Sequence, residues 1–84
     1  MDEKLILRDG TELEGHLLET ETRLFVYVYN LTLAEAFEVF NDPDKTEEIE
    51  AEQYGQKTTV SGYNHLVSVS EEAGGMVSAS LRKM

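Results

Sequence analysis

The sequence predicts a small α+β domain, in which a mainly antiparallel sheet of about six to seven short strands carries one central amphipathic helix on one face. Three observations support this fold class. A run of β-branched and aromatic residues, Leu24–Tyr29, is typical of a strand. The segment after it, Thr32–Phe40, has the start signal and the apolar spacing of a helix. Most other segments alternate between apolar and polar residues, so we expect the order β-β-β-α-β-β-β-β.

The 84 residues are predicted to form a single domain that spans residues 1–84. A chain of this length can build about one layer of helix on one sheet, because small domains bury a small share of their surface. The sequence contains no internal repeat, no linker and no low-complexity segment. We therefore expect every element to pack on one shared core.

The first two strands are predicted to form a hairpin around Asp9-Gly10. This pair lies between the segments 5–8 and 11–14, and the second strand is expected to continue to Leu18. An Asp-Gly pair favours a type I′ turn, in which both central residues have positive φ. We therefore expect a two-residue type I′ loop at this position.

The strand Leu24–Tyr29 is apolar on both faces, which is typical of a strand in the middle of a sheet. Alternate side chains of a strand point to opposite faces. The two faces therefore carry Leu24, Val26 and Val28 on one side, and Phe25, Tyr27 and Tyr29 on the other.

The helix is predicted to start at a capping box formed by Thr32 and Glu35. It is predicted to end at 41–43, because the residue before Pro43 is disfavoured in helical geometry. Apolar residues recur at i, i+3, i+4 and i+7, and this stripe is expected to dock on the sheet: Leu33, Ala36, Phe37 and Phe40. If Phe37 is buried there, replacing it with alanine should cost about 3–4 kcal/mol.

The second half of the chain is predicted to be strands joined by turns. After a turn at 44–46, the acidic segment 47–52 is expected to be an exposed edge strand or an irregular segment, because charged residues discourage unwanted strand pairing. A turn at 54–56 leads into a strand at 57–61, which Gly62 interrupts.

The last hairpin pairs 65–70 with 76–81 through a glycine-containing link. Its side chains alternate strictly in the sequence. We expect Val67, Val69, Val77, Ala79 and Leu81 to face the core, and Ser68, Ser70, Ser78 and Ser80 to face outward.

The charge balance excludes several classes of partner. Seventeen acidic and seven basic residues give a net charge of −10, which repels phosphate backbones and anionic membranes. We therefore expect neither nucleic acid nor membrane as a partner. The absence of cysteine is consistent with a reducing compartment, and residues 1–4 do not resemble a signal peptide. A cytoplasmic location is expected, with the virion as a further place.

No segment has the signature of a catalytic, metal or cofactor site, and the protein is expected not to be an enzyme. The segment 42–46 resembles the opening of a calcium-binding loop, but Glu47 and Gln53 stand where that loop needs glycine and glutamate. His16 and His65 lie on different predicted strands with no metal-ligand spacing, although two histidines and an acid could meet in space. We predict no cofactor.

The aromatic face of the strand 24–29 is the one candidate site. One short helix can cover only one face of the sheet, and the opposite face then carries Phe25, Tyr27 and Tyr29. These rings could complete the core, with the tyrosine hydroxyls at its rim. Alternatively they could form an interface with a second copy or a partner, where tyrosine is enriched.

Five segments in this order resemble small uncharacterised prophage-encoded proteins from the tail and virion-morphogenesis gene clusters of phages that infect Gram-positive bacteria. They are D-G-T-E (9–12), L-F-V-Y-V (24–28), L-T-L-A-E-A-F-E-V-F-N-D-P-D-K-T-E-E-I (31–49), G-Y-N-H-L-V-S-V-S (62–70) and G-G-M-V-S-A-S-L-R-K (74–83). The resemblance implies a structural or assembly role. It implies no catalytic residue, because these segments are turns, strands and a helix start.

Three functional hypotheses follow from the sequence. The first is a non-enzymatic, phage-derived structural or assembly module that acts through self-association, as a homo-oligomer, or by docking on a larger phage structural protein. The second is an acidic inhibitor or DNA mimic that binds a basic partner through residues 42–52. The third, a small hydrolase or metal-binding domain built on His16 or His65, has the least support in the sequence.

Overall fold

The computed structural model describes residues 3–83, apart from the side chain of Gln53. Met1, Asp2 and Met84, which belong to the predicted domain, lie outside the described residues. In chain order the elements are β1 (Lys4–Leu7), β2 (Glu12–Glu19), β3 (Leu24–Tyr29), α1 (Leu33–Phe40), α2 (Pro43–Thr46), β4 (Glu48–Gln53), β5 (Gln56–Ser61), β6 (His65–Glu72) and β7 (Met76–Arg82). The predicted fold class is confirmed, with the short helix α2 where the sequence predicted a turn.

The strands form one antiparallel sheet in the order β5-β4-β1-β2-β3-β7-β6. The strand β2 connects its two halves, because residues 12–14 pair with β1 and residues 15–19 pair with β3. The change of partner falls at Gly15, where the backbone of β3 comes very close. A Cβ atom on Gly15 would lie 1.9 Å from the carbonyl oxygen of Tyr27, so this contact requires glycine.

The core lies on one face of the whole sheet. Every second residue of the strands points to it, and the two helices cover it. The buried apolar residues are Leu5, Leu7, Leu24, Val26, Val28, Ala36, Phe40, Ile49, Ala51, Val60, Tyr63, Val77, Ala79 and Leu81. The predicted central position of β3 is confirmed, since it pairs with β2 on one side and with β7 on the other.

The start of α1 agrees with the prediction. The Oγ1 atom of Thr32 accepts from the Glu35 amide at 3.1 Å, and Glu35 Oε1 accepts from the Thr32 amide at 2.9 Å. The hydrogen bond that the Thr32 amide donates to the Glu35 carboxylate favours the ionised form and lowers the pKa of Glu35, and the Thr32 side chain lowers it further. The helix is therefore closed at its first turn by the capping box that the sequence contains.

The docking face of α1 corrects the predicted stripe. Ala36 and Phe40 are buried and Val39 packs against the core, whereas Leu33 is 40% and Phe37 is 52% exposed. Successive helical residues are about 100° apart, so the helix is turned away from the predicted contact line. The helix packs on β6 and β7, and the residues it buries are the small Ala36 and the large Phe40.

The turn after β1 differs from the prediction, whereas the turn predicted at 54–56 is present. Gly10 has a φ of +91°, but Asp9 is not among the residues with positive φ. The Gly10 amide donates to the carbonyl of Leu7, and the Leu7 amide donates to that of Thr11. The loop is thus three residues long, a type I turn followed by a left-handed glycine, and the predicted type I′ turn is wrong. The type I′ geometry occurs instead at Tyr54-Gly55, where both φ values are positive.

The acidic strand β4 is interior, so the predicted edge position is wrong. It pairs with both β1 and β5, and its two apolar residues, Ile49 and Ala51, point into the core. The glutamates between them point to the other face, where lysines lie on the neighbouring strands. The edges of the sheet are β5 and β6.

The edge strand β6 contains a bulge between Leu66 and Ser68. This irregularity places Leu66 and Val69 against the core, and Val67 is 40% exposed. The predicted inward position of Val67 is therefore wrong, because a bulge adds one residue and changes which side chains face inward. The alternation in β7 is as predicted, with Val77, Ala79 and Leu81 buried in the core.

Candidate protein-contact face

The face of the sheet opposite the core carries the predicted candidate residues. We call its half over β2, β3, β7 and β6 the aromatic face. Strand register arranges its side chains in three rows that cross the strands. The first row is Leu18, Phe25, Ser80 and Ser68, the second is His16, Tyr27, Ser78 and Ser70, and the third is Glu14, Tyr29, Met76 and Glu72.

The rings of β3 form the centre of the aromatic face. Tyr27 stacks on His16 of β2, with ring centroids 5.0 Å apart and an angle of 20° between the planes. Phe25 and Tyr27 are half-buried, while Tyr29 is 37% and Leu18 is 53% exposed. The helix α1 packs on the opposite face, and the rings remain partly open to solvent.

The serines beside the rings are held by hydrogen bonds on β6 and β7. Ser78 Oγ donates to Glu72 Oε1 at 2.9 Å and lies 3.2 Å from Ser70 Oγ. Ser80 Oγ accepts from Arg23 Nη1 at 3.3 Å. Ser78 and Ser80 are buried, yet each has a polar partner within the protein. Their hydrogen bonds keep this flank of the face ordered.

The two ends of the aromatic face carry opposite charges. Leu24 pairs with Leu81, so Arg23 and Arg82 lie side by side at the end before the first row. We call this pair the arginine end. Glu14, which accepts from Asn30 Nδ2 at 3.4 Å, and Glu72 lie at the other end, in the third row. We call this pair the glutamate end.

The other half of the same surface, over β1, β4 and β5, is charged rather than aromatic. Lys4 lies between Glu14 and Glu52 in the register, and Glu52 pairs with Lys57. Lys4 Nζ also lies 2.9 Å from Glu12 Oε1, and Lys57 Nζ lies 3.5 Å from Glu50 Oε1. Alternating charges across neighbouring strands stabilise the pairing and keep this half hydrated.

A second exposed apolar surface lies beside the helix. Leu33 and Phe37 border an open groove of about 840 Å³ between α1 and β6, which Val69 also lines. Sequence reasoning missed this groove because it assigned both residues to the core. Half of the helical stripe docks and half remains exposed, which sequence spacing alone cannot separate.

The residues considered for chemistry are not assembled into a site. His16 lies on β2 against Tyr27, and His65 lies on the edge strand β6 opposite Arg82. Within residues 3–83 no group of three histidines or acids could hold a metal ion. His16 Nδ1, Glu47 Oε2 and Asn64 Oδ1 are buried without a hydrogen-bond partner, but they lie on separate elements.

One polar contact inside the fold was not predicted. The side chain of Tyr63 is only 3% exposed, and its hydroxyl donates to Glu19 Oε2 at 2.6 Å. That hydrogen bond raises the pKa of Tyr63, because only the protonated phenol can donate it, and burial and the nearby negative charge of Glu19 raise the pKa further. The phenol therefore stays protonated and ties the loop before β6 to the end of β2. Lys83 Nζ lies 5.2 Å from the centre of the same ring.

Comparison of the chain with protein-family models, with curated proteins and with solved structures found no match. In the part of the chain that the structure describes, no helix is long and apolar enough to cross a membrane.

Proposed function

We propose that the protein is a non-enzymatic structural or assembly module that acts through protein–protein contact, with the aromatic face as its contact surface. The contact would be self-association or docking on a larger structural protein. The observation that carries the proposal is that the helices cover one face of the sheet, while Phe25, Tyr27 and Tyr29 line the opposite face.

The composition of this face supports protein contact. Tyrosine, phenylalanine, methionine and arginine are enriched in protein interfaces, and all four lie here. The central rings are backed by a rigid sheet, so little conformational entropy is lost when they are covered. Serines that are already hydrogen-bonded add polar surface without unpaired groups.

The biological setting of the proposal is phage-derived. It rests on the resemblance of residues 5–83 to small prophage proteins of tail and virion-morphogenesis gene clusters. A location in the cytoplasm, with incorporation into a virion, belongs to the same proposal. We propose no cofactor and no catalytic role for His16 or His65.

The alternative of an acidic inhibitor or DNA mimic has weaker support. Its candidate surface, residues 42–52, is divided between α2 and the interior strand β4. Lysines on β1 and β5 alternate with the glutamates of β4, which reduces any continuous negative field. A DNA mimic would need such a field along one surface.

The test compares two matched double variants by light scattering after size exclusion, at two protein concentrations and at low and physiological salt. Leu18→Ser with Tyr29→Ser removes two exposed apolar side chains from the aromatic face. Leu33→Ser with Phe37→Ser removes a similar pair from the helix groove and is the control. We expect the unmodified protein to exceed monomer mass, and only the aromatic-face variant to lose this mass.

For a monomeric protein the same variants are compared in binding to a phage structural protein co-purified with it. Loss of binding in the aromatic-face variant alone would support docking. Loss of association in the groove variant alone would contradict the proposal, and so would a monomer that binds no such protein. Circular dichroism of each variant confirms that it has folded.

A further inference from the structure

We propose that the aromatic face binds a second copy of this chain in a face-to-face dimer, with the strands β3 of the two copies antiparallel. The arginine end of each copy then meets the glutamate end of the other. This inference rests on the proposed function, since it names the partner and its orientation at the same surface. The charge distribution of the aromatic face favours this orientation.

Opposite charges lie at the two ends of the aromatic face, and between them the Glu3 carboxylate lies 3.8 Å from His16 Nδ1. Arg23 and Arg82 lie at one end, and Glu14 and Glu72 lie at the other, about six residues or roughly 20 Å away. The rings of β3 and the serines of β7 fill the space between them. A uniformly acidic or basic partner would complement one end and be repelled by the other, whereas an inverted copy complements both.

The cations at this face are available to a partner. Among the described residues no carboxylate lies within salt-bridge distance of Arg23 or Arg82, and the nearest polar partner of Arg23 is the neutral Ser80. Lys57, by contrast, already pairs with Glu50 on the charged half of the sheet. In a chain with a net charge of −10, two unpaired arginines side by side form a local positive patch that attracts an acidic group.

The symmetry fixes which rows meet. A two-fold axis that crosses the strands near Val26 reverses the strand direction and places β3 on β3 and β7 on β7. Arg23 then lies over Tyr29 of the second copy beside its Glu14, and Arg82 lies over Met76 beside Glu72. The rings at 25 and 27 interleave at the centre. A two-fold axis parallel to the strands would instead place arginine on arginine and glutamate on glutamate, which is unfavourable.

The arrangement closes as a dimer. A two-fold contact uses the same patch on both copies, so it leaves no second half-interface to continue a chain of subunits. Two antiparallel sheets that pack face to face with aligned strands form a layer about 10 Å thick, which suits side chains of this size. The helix groove and the charged half of the sheet remain outside the contact.

The experiment reverses the charge of one end at a time. One variant carries Arg23→Glu and Arg82→Glu, and a second carries Glu14→Arg and Glu72→Arg. In each variant both ends of the aromatic face carry the same charge, so the ends that meet in the dimer repel each other. The dimer dissociation constant of each variant alone should therefore rise by about tenfold or more. A control variant with Arg8→Glu and Lys57→Glu has the same net charge as the first variant, but its changes lie at exposed positions outside the aromatic face. It should dimerise like the unmodified protein.

Mixing the two charge-reversal variants restores opposite charges at both ends of the contact. Each end of the first variant is negative and each end of the second is positive, so the mixed dimer should form with an affinity close to that of the unmodified protein. Net charge alone would favour self-association of the second, less acidic variant over the mixed pair. Analytical ultracentrifugation with one variant fluorescently labelled measures the mixed dimer directly.

The outcomes separate this inference from the proposed function. If the variant with Arg23→Glu and Arg82→Glu dimerises like the unmodified protein, the antiparallel orientation is wrong. If the variant with Leu18→Ser and Tyr29→Ser then loses the dimer, the aromatic face is still supported as the contact surface. An unmodified protein that stays monomeric at every concentration overturns the second copy as partner and leaves docking on a larger protein to the co-purification test. A dimer lost only in the groove variant overturns both.

Discussion

At the scale of single residues, two glycines have specific structural roles in this fold. Gly15 lies inside a strand, and its backbone touches that of Tyr27 more closely than any side chain would allow. Gly74, in the last hairpin, has open space around it but a φ of +81°. The two glycines are therefore required for different reasons, one for space and the other for backbone conformation.

Replacing Gly15 with alanine is predicted to destabilise the protein by about 3 kcal/mol or more, because the new Cβ atom meets a backbone oxygen that only a shift of β3 could relieve. Gly74→Ala is the comparison, with an expected cost of about 1 kcal/mol from strain at positive φ. Urea denaturation of both variants measures the difference. Equal costs would mean that β2 and β3 can separate at Gly15 without loss.

At the scale of elements, the helix α1 combines a local start signal with a docking face that the sheet selects. The capping box forms from residues within one turn, so it is encoded in adjacent sequence. The buried face depends on how the helix lies on the sheet, and it consists of Ala36, Val39 and Phe40 rather than Leu33 and Phe37. A helix of eight residues is not stable alone, so this contact holds it in place.

Two alanine variants of the same helix should behave differently. Phe40 is 1% exposed, and Phe40→Ala is predicted to cost about 3–5 kcal/mol by leaving a cavity in the core. Phe37 is half-exposed, so Phe37→Ala should cost about 1 kcal/mol, less than the sequence-based expectation of 3–4 kcal/mol. Thermal and urea unfolding of the two variants measure the loss of unfolding free energy in each. A larger loss in Phe37→Ala would show that the helix docks along the stripe predicted from spacing.

At the scale of the whole molecule, the net charge of −10 opposes compaction. The lysine–glutamate pairs Lys4–Glu12 and Lys57–Glu50 are both exposed enough for water to weaken them. Repulsion among the remaining acids is spread over the surface. The fold is held by the apolar core on one side of the sheet, and the charge works against it.

The melting temperature is therefore predicted to rise when sodium chloride is increased from low to physiological concentration. Screening weakens repulsion among many like charges more than it weakens two exposed pairs. The protein concentration must be the same in each sample, because association also raises the melting temperature. Differential scanning calorimetry gives the values. A melting temperature that falls with salt would mean that attractive pairs outweigh the net repulsion.

Sequence by itself determined the features that depend on neighbouring residues. Alternation predicted the strands, a β-branched and aromatic run predicted the central strand β3, and Thr32 with Glu35 predicted the helix start. It also indicated that Phe25, Tyr27 and Tyr29 share one face, because the period of a strand is two. Each of these patterns involves residues that lie close together in the sequence.

Tertiary structure alone decided how these elements face one another. It placed β4 inside the sheet, turned Phe37 and Val67 toward solvent, and set Arg23 and Arg82 beside each other at one end of the aromatic face. Each of these depends on pairing between residues far apart in the chain, or on one added residue at a bulge. Local periodicity carries no information about either, since it describes which side chains share a face but not what lies opposite that face.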